Sequence, residues 1–191
     1  GDDLKNDKTS NLLLKKSSKL KCIISNREEI ILCGSVFVEN FIKKRFPEIK
    51  LNQKFKDGAK VKKNSAILYI SGSSKIILAI ERTILNFIQH LSSISTTTNK
   101  FVAKMGNVKT KLLDTRKTTI GLKKFEKYAT FIGGAQNHRV GLYDDILIKD
   151  NHIKVLGSID EVLKKIKSKN IQNYKIECES IAEVKKALSM N

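Results

Sequence analysis

The stretch that decides the fold is Leu112–Thr118, which reads LLDTRKT. A short apolar run ends here in polar side chains, and two of them, Arg116 and Lys117, are cationic. The segment 119–121 (TIG) interrupts the pattern, and a helical pattern follows it. An α/β barrel presents its catalytic groups in the order strand, polar tip, turn and helix. The sequence therefore predicts a barrel strand whose tip faces an anion.

Strand–helix pairs repeat from this point to the end of the chain. Gly133 and Gly134 would end the first helix, and a Ser-x-x-Glu pattern at Ser158 and at Ser180 would begin the next two. Three consecutive pairs indicate a parallel sheet or barrel. We predict strands over 111–114, 146–149 and 175–179, and helices over 121–132, from Ser158 and from Ser180.

The first half of the chain mixes strand and helix patterns. A helix opens at Gly34-Ser35, and another begins near Lys75, where apolar residues recur at helical spacing. A second helical stretch follows the first, through 96–98 (TTT), and ends at Met105. Glu81 and Arg82 lie off the apolar face, so spacing alone favours an exposed pair on a solvated helix. Strands are predicted over 19–25, 29–33 and 49–55.

Composition limits the class of protein. Of the 191 residues, 40% are hydrophobic, which is adequate for a packed core and argues against a disordered chain. No apolar run approaches the roughly 20 residues of a membrane span. No basic-then-apolar leader opens the chain, so we expect a cytoplasmic location and no membrane partner. Cys22, Cys33 and Cys178 lack metal-site spacing and are interpreted as buried, inert thiols.

The formal net charge of +18 favours an anionic partner. Nucleic acid, a phosphorylated metabolite or a polycarboxylate would each fit that charge. The excess is mostly lysine in pairs along helix faces, which a merely solvated surface would also show. There is no zinc finger, RGG run or stripe of aromatic residues for stacking bases, so we expect no nucleic-acid partner.

The candidate site residues lie at the predicted strand ends. Arg116 and Lys117 follow the first strand and Lys149 follows the second, while Arg139 ends the loosened segment 133–139 (GGAQNHR). Four cations around one pocket would repel each other unless a multiply charged anion binds there. Alternation places two carboxylates of the third strand, Glu177 and Glu179, on one strand face.

Some of these residues could also have purely structural or solvent-exposed roles. Lys149 could form an exposed pair with Asp150 at a strand end. His90 and His152 are more often structural or solvent-facing than functional. The motif around His138 and Arg139 is too long and specific to dismiss in the same way.

Four stretches, 81–96, 112–129, 133–153 and 176–180, resemble the quinolinate phosphoribosyltransferase family. They read ERTILNFIQHLSSIST, LLDTRKTTIGLKKFEKYA, GGAQNHRVGLYDDILIKDNHI and IECES. The resemblance implies an α/β fold in which an N-terminal open α/β sandwich precedes the first part of an α/β (TIM-like) barrel. It implies a sandwich domain over 1–91, which includes the start of a long linking helix, and a partial barrel domain over 92–191.

The resemblance also implies an activity. Members of the family are glycosyltransferases (pentosyltransferases), the carboxylating nicotinate-nucleotide diphosphorylases. They join quinolinate to phosphoribosyl pyrophosphate with Mg²⁺, and they release pyrophosphate, CO₂ and nicotinate mononucleotide for NAD biosynthesis. Planar guanidinium groups suit the two carboxylates of quinolinate, and lysines suit the phosphates of the donor.

Residue roles follow from the same resemblance. Arg116, His138 and Arg139 would bind quinolinate, with Thr115 nearby, and Arg82 would reach the site from the second subunit of a homodimer. Three residues would be catalytic, since Lys117 and Lys149 would lie between the quinolinate carboxylate and the donor phosphates, and Glu179 would face the ribose or Mg²⁺. Glu177 is the second candidate for that last position. The resemblance assigns no metal ligand beyond Glu179 as a candidate for Mg²⁺.

The chain departs from the family pattern at both ends. The family's first helix and its later strand ends and glycine-rich loops have no counterpart in the sequence, and three strand–helix pairs cannot close a barrel. We therefore expect a fragment that is inactive alone. Two alternatives stay open: the molybdenum-operon paralogue of the same fold, and a non-catalytic basic protein that binds anions or RNA.

Overall fold

The computed structural model describes residues 4–189, which form two compact units, one ending at His138 and one beginning at Arg139. None of the helices in this part of the chain combines the length and the apolar composition of a membrane crossing. After a short 3-10 helix at Leu4–Asn6, the elements are α1 (Lys8–Leu13), β1 (Lys19–Ser25), β2 (Ile30–Ile31), α2 (Ser35–Arg45), β3 (Lys50–Gln53), β4 (Lys60–Val61), β5 (Ala66–Ser73), α3 (Ser74–Met105), α4 (Lys123–Ile132), β6 (Leu147–Ile148), α5 (Asp150–Leu156), α6 (Ile159–Ser168), β7 (Lys175–Ile176) and α7 (Ile181–Ser189).

The first unit is an antiparallel sheet in the order β1-β5-β3, covered by α3. Apolar residues alternate on the inner face of the strands and meet the apolar stripe of α3, so both periodicities converge on one core. The predicted stripe is confirmed, because Ile77, Ile80, Ile84 and Ile88 are all buried. The strands β2 and β4 pair separately.

The helix α3 is one continuous element of 32 residues rather than two stretches. Its middle packs on α4 through an aromatic cluster in which Phe37 meets the ring edges of Phe87, Phe125 and Tyr128 at 5.0–6.0 Å. Offset and edge-to-face pairs of this kind stabilise a contact beyond the area they bury. The aromatic cluster therefore attaches α4, which follows the LLDTRKT stretch, to the long helix.

The helix α4 ends as predicted. Gly134 has a φ of +99°, its N–H donates to Phe131 O, and the N–H of Ala135 donates to Thr130 O. These two bonds define a Schellman motif, which needs a left-handed residue at this position. A Cβ on Gly133 would lie 2.5 Å from the side chain of Thr98, so this glycine permits close approach to α3.

The second unit contains a parallel pair, β6 with β7, packed against α5 and α6, and α7 contacts α6. Its core is Ile148, Ile159, Val162, Leu163 and Ile166. The helices predicted from the serine caps are confirmed, and the Ser158 side chain accepts the N–H of Glu161. The helix α5 was not predicted.

Candidate active site

The LLDTRKT stretch does not form the predicted strand over 111–114. It makes a single parallel bridge between Leu113 and Gln136. The Gln136 N–H donates to Leu112 O at 2.8 Å, and the Asp114 N–H donates to Gln136 O at 3.1 Å. A strand requires a run of ladder hydrogen bonds to a neighbour, and among residues 4–189 this stretch is bridged only at Leu113. The bridge still brings the start of DTRKT beside the start of QNHR.

Asp114 is the centre of this junction. Its Oδ1 accepts the backbone N–H of His138 at 2.7 Å and the ammonium of Lys127 at 2.5 Å. Its Oδ2 accepts Asn137 Nδ2 at 2.8 Å and has a longer contact of 3.4 Å with Thr130 Oγ1. The side chains of Asp114 and Lys127 are 4% and 5% exposed. A buried carboxylate is tolerated when its acceptor sites are filled and a cation neutralises it.

The residues after Asp114 are exposed. Thr115 Oγ1 accepts the N–H of Lys117 at 3.1 Å, which turns the chain back on itself. In the described part of the chain, no carboxylate lies within ion-pair distance of Arg116 or Lys117. Two neighbouring cations without a protein counter-charge favour an external anion.

Glu126 holds the end of the same loop. Its Oε2 accepts the N–H of Thr119 at 3.0 Å, and its Oε1 lies 2.9 Å from Nε2 of His90 on α3. Partial burial raises the pKa of Glu126, but the hydrogen bonds from Thr119 and His90 outweigh burial, and the pKa falls below its usual value. His90 therefore has a structural contact here, in agreement with the structural role considered for it.

His138 and Arg139 are oriented through their backbone and through burial. The His138 amide is bound to Asp114, and its side chain is half-buried. Arg139 is only 7% exposed, and its Nη1 donates to Asp145 O at 3.2 Å. That bond uses one of five guanidinium N–H donors.

In the second unit, Lys149 pairs with Glu177 at 2.7 Å, not with Asp150. Asp150 instead meets Lys154, so the exposed strand-end pair considered for Lys149 is wrong. The backbone N–H of Lys149 donates to His152 Nδ1, a structural role for that histidine.

The third strand end carries the other candidate carboxylate, Glu179. Glu177 and Glu179 are both exposed, with the half-buried Cys178 between them, but β7 ends at Ile176, so they follow the strand and do not share one of its faces as predicted. Within the described residues, Glu179 has no ion-pair partner.

Arg82 lies on α3 in the first unit. It lines a groove of about 800 Å³ between the segment around Asn26 and one face of α3. Arg27 and Lys100 line the same groove and are exposed, as Arg82 is. The groove is positively charged on the α3 side and has Glu28 and Glu29 on the other.

Residues 4–189 contain no group of three or more His, Cys, Asp or Glu side chains that could hold a metal ion. Mg²⁺ requires near-octahedral oxygen ligands and commonly takes one or two carboxylates together with substrate phosphates. The residues described thus do not form a Mg²⁺ site by themselves.

Asp114, Lys127 and Glu126 are site residues that the sequence analysis missed. In the sequence, Asp114 lies between an apolar run and two cations, and nothing there distinguishes it from an ordinary polar loop residue. Lys127 occurs among lysines that were assigned to a solvated surface. Helical spacing gave no signal for it, because Phe125, Tyr128 and Ala129 form the apolar face of α4 and Lys127 does not lie on that face.

Comparison with known proteins gives matches over nearly the whole chain. Residues 7–92 match the family described as "Quinolinate phosphoribosyl transferase, N-terminal domain", and residues 94–191 match its "C-terminal domain". A probable nicotinate-nucleotide pyrophosphorylase [carboxylating] of Methanocaldococcus jannaschii is 38% identical over 186 residues, which cover 95% of this chain and 64% of that protein. The Bacillus subtilis protein of the same description is 43% identical over 136 residues, or 70% of this chain and 47% of the relative.

A solved structure supports the same likeness. The nicotinate-nucleotide pyrophosphorylase from Ehrlichia chaffeensis superimposes with a TM-score of 0.90 at 38% identity, over 97% of this chain and 68% of that one. This match confirms the predicted fold, an α/β sandwich followed by the first part of an α/β barrel. The chain spans less than two thirds of the length of the two sequence relatives.

Proposed function

Because the chain belongs to the quinolinate phosphoribosyltransferase family, we propose that it forms part of an enzyme that transfers a phosphoribosyl group to quinolinate. The donor is phosphoribosyl pyrophosphate, and the products are nicotinate mononucleotide, pyrophosphate and CO₂. The observation that carries this proposal is the junction at Asp114, which holds the start of TRKT against the start of the His138-Arg139 segment.

Arg116, His138 and Arg139 bind the two carboxylates of quinolinate, with Thr115 beside them. Planar guanidinium groups bind carboxylates through two parallel hydrogen bonds. The exposure of Arg116, and the lack of a carboxylate near it in the described residues, support this role. The buried guanidinium of Arg139 is already oriented by Asp145, so it loses little freedom when it binds.

Lys117 and Lys149 contact the anionic groups where the acceptor carboxylate meets the donor phosphates. Glu179 faces the ribose, where positive charge develops as pyrophosphate leaves. We prefer Glu179 to Glu177 for this position, because the carboxylate of Glu177 already neutralises Lys149. Glu177 then orients the lysine.

The reaction needs no covalent enzyme intermediate. The pyridine nitrogen forms a bond to the ribosyl carbon while the carbon–oxygen bond to pyrophosphate breaks, and the leaving group keeps that electron pair. The ring nitrogen becomes cationic. The bond from the adjacent ring carbon to its carboxylate then breaks, CO₂ leaves, and the carbon takes a proton. Fixed cations that hold both substrates in line reduce the entropic part of the barrier.

Mg²⁺ is proposed as a companion of the donor and not as a resident metal. The described residues lack a site of their own for it, and phosphate oxygens are its usual ligands. Glu179 is the candidate protein ligand.

A homodimer is the proposed active assembly. In it, Arg82 of one subunit supplies a further cation to the quinolinate site of the other. The support is the exposed position of Arg82 on a groove that also carries Arg27 and Lys100.

The proposal is tested with the protein at the full length of its relatives. Quinolinate labelled with ¹⁴C in the carboxylate next to the ring nitrogen should release ¹⁴CO₂ only when phosphoribosyl pyrophosphate is present, and Arg116→Ala should abolish the release. Use of nicotinate but not quinolinate would contradict the acceptor assignment. Failure with both acceptors, together with salt-sensitive RNA retention, would favour the non-catalytic alternative.

A further inference from the structure

We propose that Asp114 and Lys127 are a positioning pair, which sets the TRKT segment and the His138-Arg139 segment at the spacing that quinolinate requires. This inference rests on the proposed function. It concerns two residues that act on the substrate only through the residues they hold.

The acceptor capacity of Asp114 excludes a direct role in binding. A carboxylate offers about four lone-pair sites. In Asp114 these sites receive Lys127, the His138 amide, Asn137 and, at longer range, Thr130. The group is also 4% exposed, so it has neither the access nor the free acceptor that a substrate hydroxyl or metal would need.

The bonds of Asp114 lie directly beside both predicted quinolinate-binding segments, so the pair can set the position of each. Asp114 directly precedes Thr115, Arg116 and Lys117, and the amide it binds directly precedes Arg139. The two backbone bonds of the Leu113–Gln136 bridge lie next to Asp114, one made by the N–H of Asp114 itself and one by Leu112 O. The two predicted quinolinate-binding segments thus both begin at one fixed point.

Lys127 attaches the Asp114 carboxylate to α4. Its side chain is buried on one side of α4, and Ala129, which lies on a different face of the same helix, is fully buried in a cluster with Leu91 of α3. Its backbone carbonyl also accepts Asn137 Nδ2 at 3.0 Å. The ammonium therefore neutralises Asp114 while its own carbonyl holds the opposite segment. A displacement of either segment would therefore break hydrogen bonds of both Asp114 and Lys127.

The first test replaces Asp114 by asparagine in the protein at the full length of its relatives. The new amide presents NH₂ to a neighbour that is itself a donor, so the junction loosens while the volume stays nearly constant. We expect kcat/KM for quinolinate to fall about 10- to 100-fold, with a misplacement of about 1 Å as the cause. The KM for phosphoribosyl pyrophosphate should change less than about threefold, because Lys117 is its one proposed ligand in the two segments, whereas Arg116, His138 and Arg139 all bind quinolinate.

The control is Asp160→Asn, which breaks an exposed carboxylate–lysine pair of similar length with Lys186. Its kinetics should equal those of the unsubstituted protein. Equal losses for both substrates in Asp114→Asn would overturn the positioning role and indicate general destabilisation.

A second readout needs no substrate. Amide hydrogen exchange followed by mass spectrometry should show faster exchange in peptides that cover 112–118 and 136–139 of Asp114→Asn, with α3 unchanged. Unchanged exchange in those two peptides would overturn the proposal. If the unsubstituted protein ignores quinolinate, the proposed function fails, and the exchange measurement still decides whether the pair holds the two segments together.

Discussion

The ammonium of Lys127 lies 2.5 Å from the carboxylate of Asp114, and both side chains are at least 95% buried. Most ion pairs among residues 4–189 are exposed, as in Lys186 with Asp160. Removal of one partner from a buried pair leaves a charge in a poorly solvating environment, whereas exposed pairs contribute little. The two pairs should therefore respond very differently to the same substitution.

Lys127→Met should lower the free energy of unfolding by about 3 kcal/mol, because Asp114 keeps its charge without a cation. Lys186→Met is the matched control and should change it by less than about 0.5 kcal/mol. Urea unfolding followed by circular dichroism measures both. Equal effects would mean that the Lys127 pair is solvated in solution.

Glu126 should make stability depend on pH in the acid range. Burial raises its pKa, but hydrogen bonds from Thr119 and His90 dominate and leave it below the usual 4.5. A carboxyl group with a lowered folded-state pKa stabilises the fold fully above its unfolded pKa, and that contribution is lost as the pH falls from about 4.5 through the folded-state pKa.

The measurement is the free energy of unfolding between pH 6 and 3 for the unsubstituted protein and for Glu126→Gln. The loss on acidification should be smaller in the variant. Glu161→Gln, at an exposed pair with Lys164, should retain the full pH dependence, and a parallel curve for Glu126→Gln would contradict the assignment.

Cys33 should be unreactive in the folded protein. It is fully buried, and burial, reinforced by the charge of Asp57, raises its pKa to about 12. At pH 8 about one thiol in 10⁴ is then ionised, and the thiolate is the reactive form. A Cys22→Ser, Cys178→Ser variant should react with a disulfide reagent only after urea is added, and rapid labelling without urea would show that the site opens.

Much of this fold follows from local patterns. The caps at Ser158 and Ser180 and the glycines after α4 predicted three helix boundaries, because these signals depend on a few neighbouring residues. The extent of a strand depends on its neighbours in the sheet, so the predicted strand over 111–114 shrinks to one bridge at Leu113. The helix α5 was missed because Asp150-Asn151-His152 is a composition typical of loops.

The candidate site was predictable only in part. Arg116, Lys117 and Lys149 could be found from their places after apolar runs. Asp114 could not be assigned its role in the same way, since its partners lie 13 to 24 residues away. Hydrogen bonds over such separations depend on how α4 packs, which periodicity does not report.

Arg116→Lys should weaken quinolinate binding without loss of stability. Lysine keeps the charge but cannot form two parallel bonds to a carboxylate, so the KM for quinolinate should rise about tenfold. The melting temperature should not change, because Arg116 is exposed. Steady-state kinetics check this, with the exposed Lys104→Arg as a control that should behave as the unsubstituted protein. An unchanged KM would remove Arg116 from the acceptor site.

The proposed role of Arg82 in the partner's site predicts a complementation that single variants cannot show. In the protein at the full length of its relatives, Arg82→Ala and Arg116→Ala should each be inactive. A mixed dimer of the two would contain one site with both substitutions and one site with neither, because a two-fold dimer exchanges Arg82 between subunits.

Random mixing makes half of the dimers mixed, and each mixed dimer has one intact site. Mixed subunits, unfolded and refolded together in equal amounts, should thus recover about 25% of the unsubstituted activity. If Arg82 instead serves the site of its own subunit, every site in the mixture carries at least one substitution and no activity returns.

Arg27→Ala, a substitution on the same groove, provides the control. If Arg27 lines the groove without contacting the substrate, the Arg27→Ala protein should be active, and mixing that protein with Arg116→Ala should only dilute its activity. Recovery with Arg82→Ala but dilution alone with Arg27→Ala would assign the cation that crosses the dimer to Arg82.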